Sequence, residues 1–486
     1  MDSSARRFPD NARTALATPT LQAALAKLAD GFPSRRREAA GRLPEFEQLR
    51  DAARAIKEHA LEHLDVYLET FERRVAENGG EVHWCRDAEE ARATILDICR
   101  RAGARTVTKS KTMIGEEIAI NEHLERHGIR PVETDLGEYI IQLRREPPSH
   151  LIAPAIHLSL GQVAETFRKS HAHLPHDRAL NEPDALLDEA RAKLRPDFLS
   201  ADVGITGANM LIAETGGNVL VTNEGNADLT HTLPRVHIVL ASIEKIVPTL
   251  EDATVILRVL ARSATGQDIT VYTSFCSGPR RPGDPDGPDE YHVVLLDNGR
   301  ARLLETEFRD MLRCIRCGAC LNHCPVYRAV GGHAYGWVYS GPMGAVLVPA
   351  LLGTREARHV ANASTLCGRC ESVCPMRIPL PRMLRAWRER LHRERRGSWI
   401  ARLGIAAWAS VAARPGLYHR LCRPLIRALG NLSGTSRRFR TLPLFGGWTR
   451  TRDFPAPEGE TFMTLWSEAE QNRRKLDALG ARKPAS

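Results

Sequence analysis

Seven of the eleven cysteines crowd between Cys314 and Cys374, at gaps of two and three residues. The first run reads Cys314-Ile-Arg-Cys317-Gly-Ala-Cys320-Leu-Asn-His-Cys324-Pro325, a C-x2-C-x2-C-x3-C-P spacing typical of bacterial iron–sulfur ligation. Three thiolates two residues apart wrap a tight loop around one cubane, while the fourth points away to ligate another cluster. The proline after it stops the segment from folding back. The second run, Cys367-Gly-Arg-Cys370-Glu-Ser-Val-Cys374-Pro375, has the same spacing with Ser364 where the first cysteine would stand. Crossed ligation then gives Cys314, Cys317, Cys320 and Cys374 to one [4Fe–4S] cluster and Cys324, Cys367 and Cys370 to a second. The second lacks an evident fourth ligand. Ser364, Cys422, solvent or a partner could complete it, or it could be a [3Fe–4S] cluster.

Two competing chemistries are weaker. Pairs of cysteines at x2 spacing could hold zinc, but a zinc ribbon has no use for seven cysteines with a C-P ending on each run. A purely structural role needs one cluster, so two adjacent clusters point to an electron relay. Disulfides are disfavoured because the start, MDSSARRFPDNARTALATP, lacks the apolar core of a secretory signal. A cytoplasmic chain is expected.

The elements that must position these cysteines are legible in part. Residues 1 to about 75 are expected to be mostly helical, with helix-spaced apolar residues from Leu43 to Asn78. An α/β alternation follows: strand Glu81–Trp84, helix Asp87–Ala102, strand Arg105–Thr108, helix Glu116–His127 and strand Ile129–Glu133. Asn218–Val221, Val236–Leu240 and Tyr291–Leu296 read as further strands, and Leu303–Leu312 as a helix leading into the cysteines. The stretch between the cysteine runs includes Ala345–Leu352, helical despite Pro349, which favours a helical dicluster module over a compact ββ ferredoxin. The expected divisions are a helical segment 1–75, an α/β domain 76–300, a dicluster module 301–385 and a basic region 386–486. The basic arm is expected to be helical to about Ala428, broken at Pro415-Gly416, with an irregular end from Asn431.

Composition sets the outer bounds. The 486 residues carry a formal charge of +9, with 43% hydrophobic and 26% charged residues, as in an ordinary globular protein of several domains. No apolar run approaches the roughly 18–20 residues of a membrane span. The charge is unevenly placed: Arg377 to Arg440 contains 16 Arg, no Lys, two Glu and no Asp, so the remainder is mildly acidic. Nucleic acid is an unlikely reading of that arm, because Trp387, Trp399 and Trp408 are spread along helices and not interleaved as stacking platforms. Leu384, Trp387 and Leu391 fall on one helix face, as in a docking helix. The run Ile400–Leu429 fits packing on the dicluster module better than peripheral contact with an anionic membrane.

The α/β part has no G-x-G-x-x-G after a strand and no G-x4-G-K-[ST] loop, so a self-contained nicotinamide or nucleotide enzyme is unsupported. Its polar motifs are Lys109-Ser-Lys-Thr112, Gly204-Ile-Thr-Gly207-Ala-Asn209, Ala213-Glu-Thr-Gly-Gly217 and Thr222-Asn-Glu-Gly-Asn-Ala-Asp228. Such motifs suit either ligand approach or tight turns. Glu214, Glu224 and Lys109 are the candidate catalytic groups among them.

These motifs, with both cysteine runs and the late Gly447-Trp448-Thr-Arg-Thr-Arg-Asp453, resemble the lactate utilisation protein B family, the iron–sulfur subunits of bacterial L-lactate oxidation. The resemblance spans nearly the whole chain. It implies an α/β domain similar to the sugar-phosphate isomerase and CoA-transferase fold, followed by a helical dicluster module. It also implies work beside other subunits in converting L-lactate to pyruvate for growth, and a second cysteine run that carries three cysteines throughout the family. Because no two-electron cofactor motif is present, electron relay is the expected role. The alternative is that the α/β domain itself binds a hydroxy acid or acyl compound and the clusters drain its electrons; a nucleic-acid binder with structural clusters ranks last.

Overall fold

The computed structural model describes residues 3–442, 449 and 452–480, and the chain forms two compact units, residues 1–396 and 397–486. In the first unit the strands are β1 (Glu81–Cys85), β2 (Thr106–Lys109), β3 (Arg130–Glu133), β4 (Val203–Thr206) and β5 (Met210–Ile212). They continue as β6 (Gly217–Thr222), β7 (Val236–Ser242), β8 (Ile246–Val247), β9 (Tyr272–Cys276) and β10 (Glu290–Leu296). Six of them form one sheet in the order β1-β10-β7-β4-β2-β3, parallel throughout.

A parallel sheet is covered on both faces, and β7 shows why this sequence suits it. Ile238 and Leu240 meet Ile95, Cys99 and Leu124 on one side, while Val239 and Ala241 meet Leu68, Phe71 and Val75 on the other. The period of two along β7 thus feeds two separate cores. β5 and β6 form an antiparallel hairpin in a second sheet, ordered β8-β5-β6-β9.

Strand order places a switch in the main sheet. From β2 the chain steps outward to β3, then returns to the other side of β2 as β4 and continues away through β7 and β10. The loops after β2 and β4 therefore diverge and leave a crevice at the carboxyl ends of the strands, where ligands of open α/β sheets bind. Gly204 within β4 serves packing: a Cβ there would sit 1.8 Å from the Thr230 carbonyl oxygen. Gly204→Ala is expected to lower stability by about 2 kcal/mol or more in urea denaturation, since backbone must move to admit the methyl.

The N-terminal helices Pro19–Gly41 and Phe46–Glu62 belong to the cysteine module more than to the sheet. Leu25, Leu28, Phe46 and Ala53 share one core with Cys320, Leu321, Met376 and Trp387. Helix Gly341–Leu352 crosses that core, buried from Gly341 to Pro349. Helix Leu380–Arg393 closes it: the Trp387 ring stacks on Phe308 at 4.0 Å, and its indole N–H donates to the Val346 carbonyl at 3.0 Å. The docking face of Leu384, Trp387 and Leu391 thus packs on the chain itself.

Three local expectations need correction. Leu303–Leu312 is no continuous helix; a short helix ends at Leu304 and a 3-10 turn runs over Arg309–Arg313. Glu116–His127 is split into Met113–Glu117 and Ile120–Arg126, with Ala119 in the left-handed region at φ 54°. The terminal region is not irregular throughout, because Phe462–Gly480 is helical.

The second unit contains helices Trp399–Ala412, Pro415–Leu432 and Phe462–Gly480, with Arg423 and Arg427 paired to Glu460. No residue of the first two helices is buried, and Trp399 and Trp408 are 69% and 65% exposed. No helix among the described residues is long and apolar enough to cross a membrane. Gly447 and Trp448 lie outside the described residues.

Candidate metal centre

The two cysteine runs repeat one backbone design. Arg316 and Leu366, just before Cys317 and Cys367, have φ of 59° and 55°, and Gly318 and Gly368, just after, have φ of 71° and 83°. Each run then enters a single-turn helix, Ala319–Asn322 and Arg369–Ser372. Left-handed residues alternating with others turn successive N–H groups inward, a concavity suited to an anionic cluster.

Cys314, Cys317, Cys320 and Cys374 line one enclosed cavity with Met343, Met376 and Ile378. Cys324 and Cys367 are the thiols that influence Cys370, and the single-turn helices bearing Cys320 and Cys370 are in contact, so the two groups lie side by side. All seven cysteines are unpaired thiols. Burial and neighbouring thiols push Cys317 and Cys370 up to about 12, and Cys320, Cys324 and Cys374 are raised by burial as well. Exposed Cys367 goes the other way, lowered by the Arg369 N–H. Buried thiols whose thiolates would repel one another ionise when a cation arrives among them, so this donor set fits metal binding. Ser364 turns its hydroxyl oxygen to accept the Leu366 N–H at 3.0 Å. Cys422 sits on helix Pro415–Leu432 of the second unit, beside Tyr418.

Two arginines clamp the end of the second cysteine run, and a buried lysine ties one of their helices to the α/β part. Arg50, 3% exposed, donates to the Cys374 carbonyl at 2.7 Å and the Ser372 carbonyl at 2.8 Å. Arg36 donates to the Val373 carbonyl at 2.9 Å, and Lys57 donates to the carbonyls of Glu244 and Ile246. Burial brings Lys57 down to about 7. Nothing in helix periodicity marks these residues, which look like ordinary polar-face side chains. Arg316 alone had a signal, its place inside a C-x2-C.

A buried ionic network joins the module to the sheet. Arg300 donates to both carboxylate oxygens of Glu117, at 3.0 and 2.7 Å, and its Nε lies 3.0 Å from Glu244. Tyr339 donates to Glu117 at 2.6 Å, and Arg316 reaches Glu244 at 3.2 Å while stacking over the Tyr339 ring. Although burial opposes it, Arg300 and Arg316 bring Glu244 down to about 2.

Three of the four polar α/β motifs converge on a second cavity of about 260 Å³ at the switch point, and Ala213–Gly217 is not part of it. Ser110–Thr112 follow β2, Asp135 follows β3, Gly207–Asn209 follow β4, and Thr222–Glu224 end β6. Its far wall is Ile315 and Arg316 of the first cysteine loop. Of the three candidate catalytic groups, only Glu224 lines it. Burial and Asp135 raise the Glu224 pKa, and its carboxylate accepts the Leu136 N–H at 3.2 Å. Lys109 is fully buried in ion pairs with Glu133 at 2.7 Å and Glu116 at 3.0 Å. Burial alone would lower the Lys109 pKa, but those carboxylates outweigh it and hold it raised. Glu214 is exposed elsewhere and accepts the Leu250 N–H at 3.2 Å at the start of helix Leu250–Ala264.

With this geometry in view, the comparisons with known proteins are decisive. Lactate utilization protein B of Bacillus licheniformis is 41% identical over 97% of this chain and 97% of its own length. The chain belongs to the lactate utilisation protein B family. The Lysinibacillus sphaericus protein of that name is 40% identical over 95% of the chain and 97% of its own length. YkgF of Escherichia coli, described as an uncharacterized electron transport protein, is 40% identical over 96% of the chain and 98% of its own length. The LUD domain family matches residues 68–296, a 4Fe-4S dicluster domain residues 310–378, and the family's C-terminal domain residues 369–471. A DUF162 family structure from Deinococcus radiodurans aligns with 48% of the chain and 98% of its own, at 18% identity and a TM-score of 0.25. The chain is thus an iron–sulfur protein, with a parallel-sheet α/β domain, a dicluster module and a helical C-terminus.

Proposed function

We propose that this protein is the electron-transfer subunit of a multi-protein system that oxidises L-lactate to pyruvate and supports growth on lactate. The carrying observation is the pair of adjoining cysteine groups: the single-turn helices that bear Cys320 and Cys370, Ala319–Asn322 and Arg369–Ser372, pack against each other. One [4Fe–4S] cluster is held by Cys314, Cys317, Cys320 and Cys374. The second is held by Cys324, Cys367 and Cys370, as a [4Fe–4S] cluster with a further ligand or as [3Fe–4S]. The α/β domain, residues 76–300, belongs to the sugar-phosphate isomerase and CoA-transferase type, a reading supported by its parallel sheet. Residues 301–385 form the dicluster module and 386–486 the basic region, and the system works in the cytoplasm, with the exposed arginines and tryptophans of that region available to other subunits or to the inner membrane surface.

Converting L-lactate to pyruvate releases two electrons and two protons. When bound, the clusters supply one-electron transfer. The chain's own residues hold the thiolates in turned loops, clamp Cys374 through Arg50 and keep bulk water from the first cysteine group. Substrate oxidation takes place at a partner or a shared interface. Purified alone with its clusters, the protein is expected to show cluster absorbance that bleaches on reduction, with negligible lactate dehydrogenation in a dye-linked assay. Sustained turnover by the isolated chain would overturn the proposal.

A further inference from the structure

The cavity at the strand switch point is not needed to hold either cluster, yet a cysteine loop forms its wall. Its charged groups fall into two sets. Lys245, buried, and Arg316 share electrostatic contact with each other, with Glu244 and with Cys314. Glu224, Asp135 and Lys111 form the other set and interact among themselves. Lys111 donates to the Ile152 carbonyl at 2.6 Å, which fixes its ammonium on the backbone, so that end holds two carboxylates and one tethered cation. Arg316 also has a buried guanidinium nitrogen, NH1, with no hydrogen-bond partner. Asn209 accepts the Val221 N–H at 3.0 Å through Oδ1, which fixes its amide plane on the cavity wall.

We infer that this cavity binds a small α-hydroxy or α-keto carboxylate. The choice among small anions rests on the lactate-oxidising role proposed above. Three features carry the inference. The place is the one where open α/β sheets take ligands. The volume of about 260 Å³ lies below the roughly 300–1,000 Å³ of drug-sized pockets and so suits a few-carbon molecule. The walls have opposite polarity. Arg316, with its orphaned nitrogen, and Lys245 line the cavity and would pair with a carboxylate, and an α-hydroxyl is the group that donates to a carboxylate such as Glu224. An apolar acid lacks the hydroxyl, and inorganic phosphate crowds the acidic end with negative charge. The anion would then lie against Ile315 and Arg316, between Cys314 and Cys317.

The test is calorimetric titration of the cluster-loaded full chain with L-lactate, pyruvate, propionate and inorganic phosphate. Saturable binding of L-lactate or pyruvate is expected, with propionate and phosphate weaker. Lys245→Met should weaken lactate binding about tenfold or more, and Glu224→Gln should shrink the preference for lactate over propionate. In the reduced protein, L-lactate should shift the paramagnetic resonance of the cluster beside the cavity, because its loop is the cavity wall. No saturable binding of lactate or pyruvate would overturn the inference. So would phosphate binding as tightly as lactate, or affinities unchanged in both variants. Should Lys245→Met lose iron, the Glu224→Gln arm decides alone. Reduction of the clusters by dithionite in the same sample reports separately on the electron-transfer reading.

Discussion

Cys374→Ala is expected to destroy the cluster held by the first cysteine run, although Cys374 belongs to the second. The side chain shares one cavity with Cys314, Cys317 and Cys320, and its carbonyl is fixed by Arg50. Cys324→Ala, by the same reasoning, should deplete the cluster of Cys367 and Cys370. Each variant should lose about half of the bound iron and sulfide, with a different paramagnetic signal lost in each. A sequential arrangement, each run serving its own cluster, would exchange the two outcomes. The comparison therefore reads the ligand sets even where cluster loss also lowers stability. That lowering is expected, because metal binding and folding of such a module are one equilibrium.

The second large effect concerns Arg300→Met. Arg300 is wholly buried and is the shared counter-charge of Glu117 and Glu244. Its removal leaves the buried Glu117 without an ion pair and Glu244 with Arg316 alone, and breaking a buried pair of this kind costs about 3–5 kcal/mol. Chemical denaturation of the cluster-loaded protein should show that loss. Adding Glu117→Gln to Arg300→Met should recover part of it, since the unpaired charge is then gone. Equal stability of wild type and Arg300→Met would mean that the network carries little of the fold. The same network joins the sheet to the cysteine loop through Arg316 and Tyr339, so the single variant is also expected to broaden the spectrum of the adjacent cluster.

The cysteine chemistry was legible because ligand spacing is local: a loop that wraps a cubane is written in consecutive residues. The strands were legible for a related reason, since β7 is a short run rich in Val, Ile and Leu, buried at every position and polar only at His237 and Ser242, and its length suits a strand better than a helix. Contacts between distant segments were not. Arg50 and Arg36 lie on helices whose spacing announces only amphipathicity, yet they bond to carbonyls more than 300 positions away. Gly204 looked like part of a ligand loop, and the clash it avoids with Thr230 is visible only once helix Asn226–Thr232 packs on β4. Helix Leu303–Leu312 failed because Leu303, Phe308, Met311 and Leu312 are all buried in the module core, a demand that short turns meet and one straight helix does not. The polar motifs after β2, β4 and β6 could be read as turns or as ligand approach, and strand order alone brings them to one cavity.

Paramagnetic resonance of the anaerobically purified, dithionite-reduced chain, with iron and sulfide counted on the same sample, tests the central claim most directly. Two adjacent reducible clusters should give about seven to eight iron per chain and a spectrum broadened by coupling between the two spins. A chain that carries zinc in place of iron, or a single cluster that accepts no electron, would contradict it.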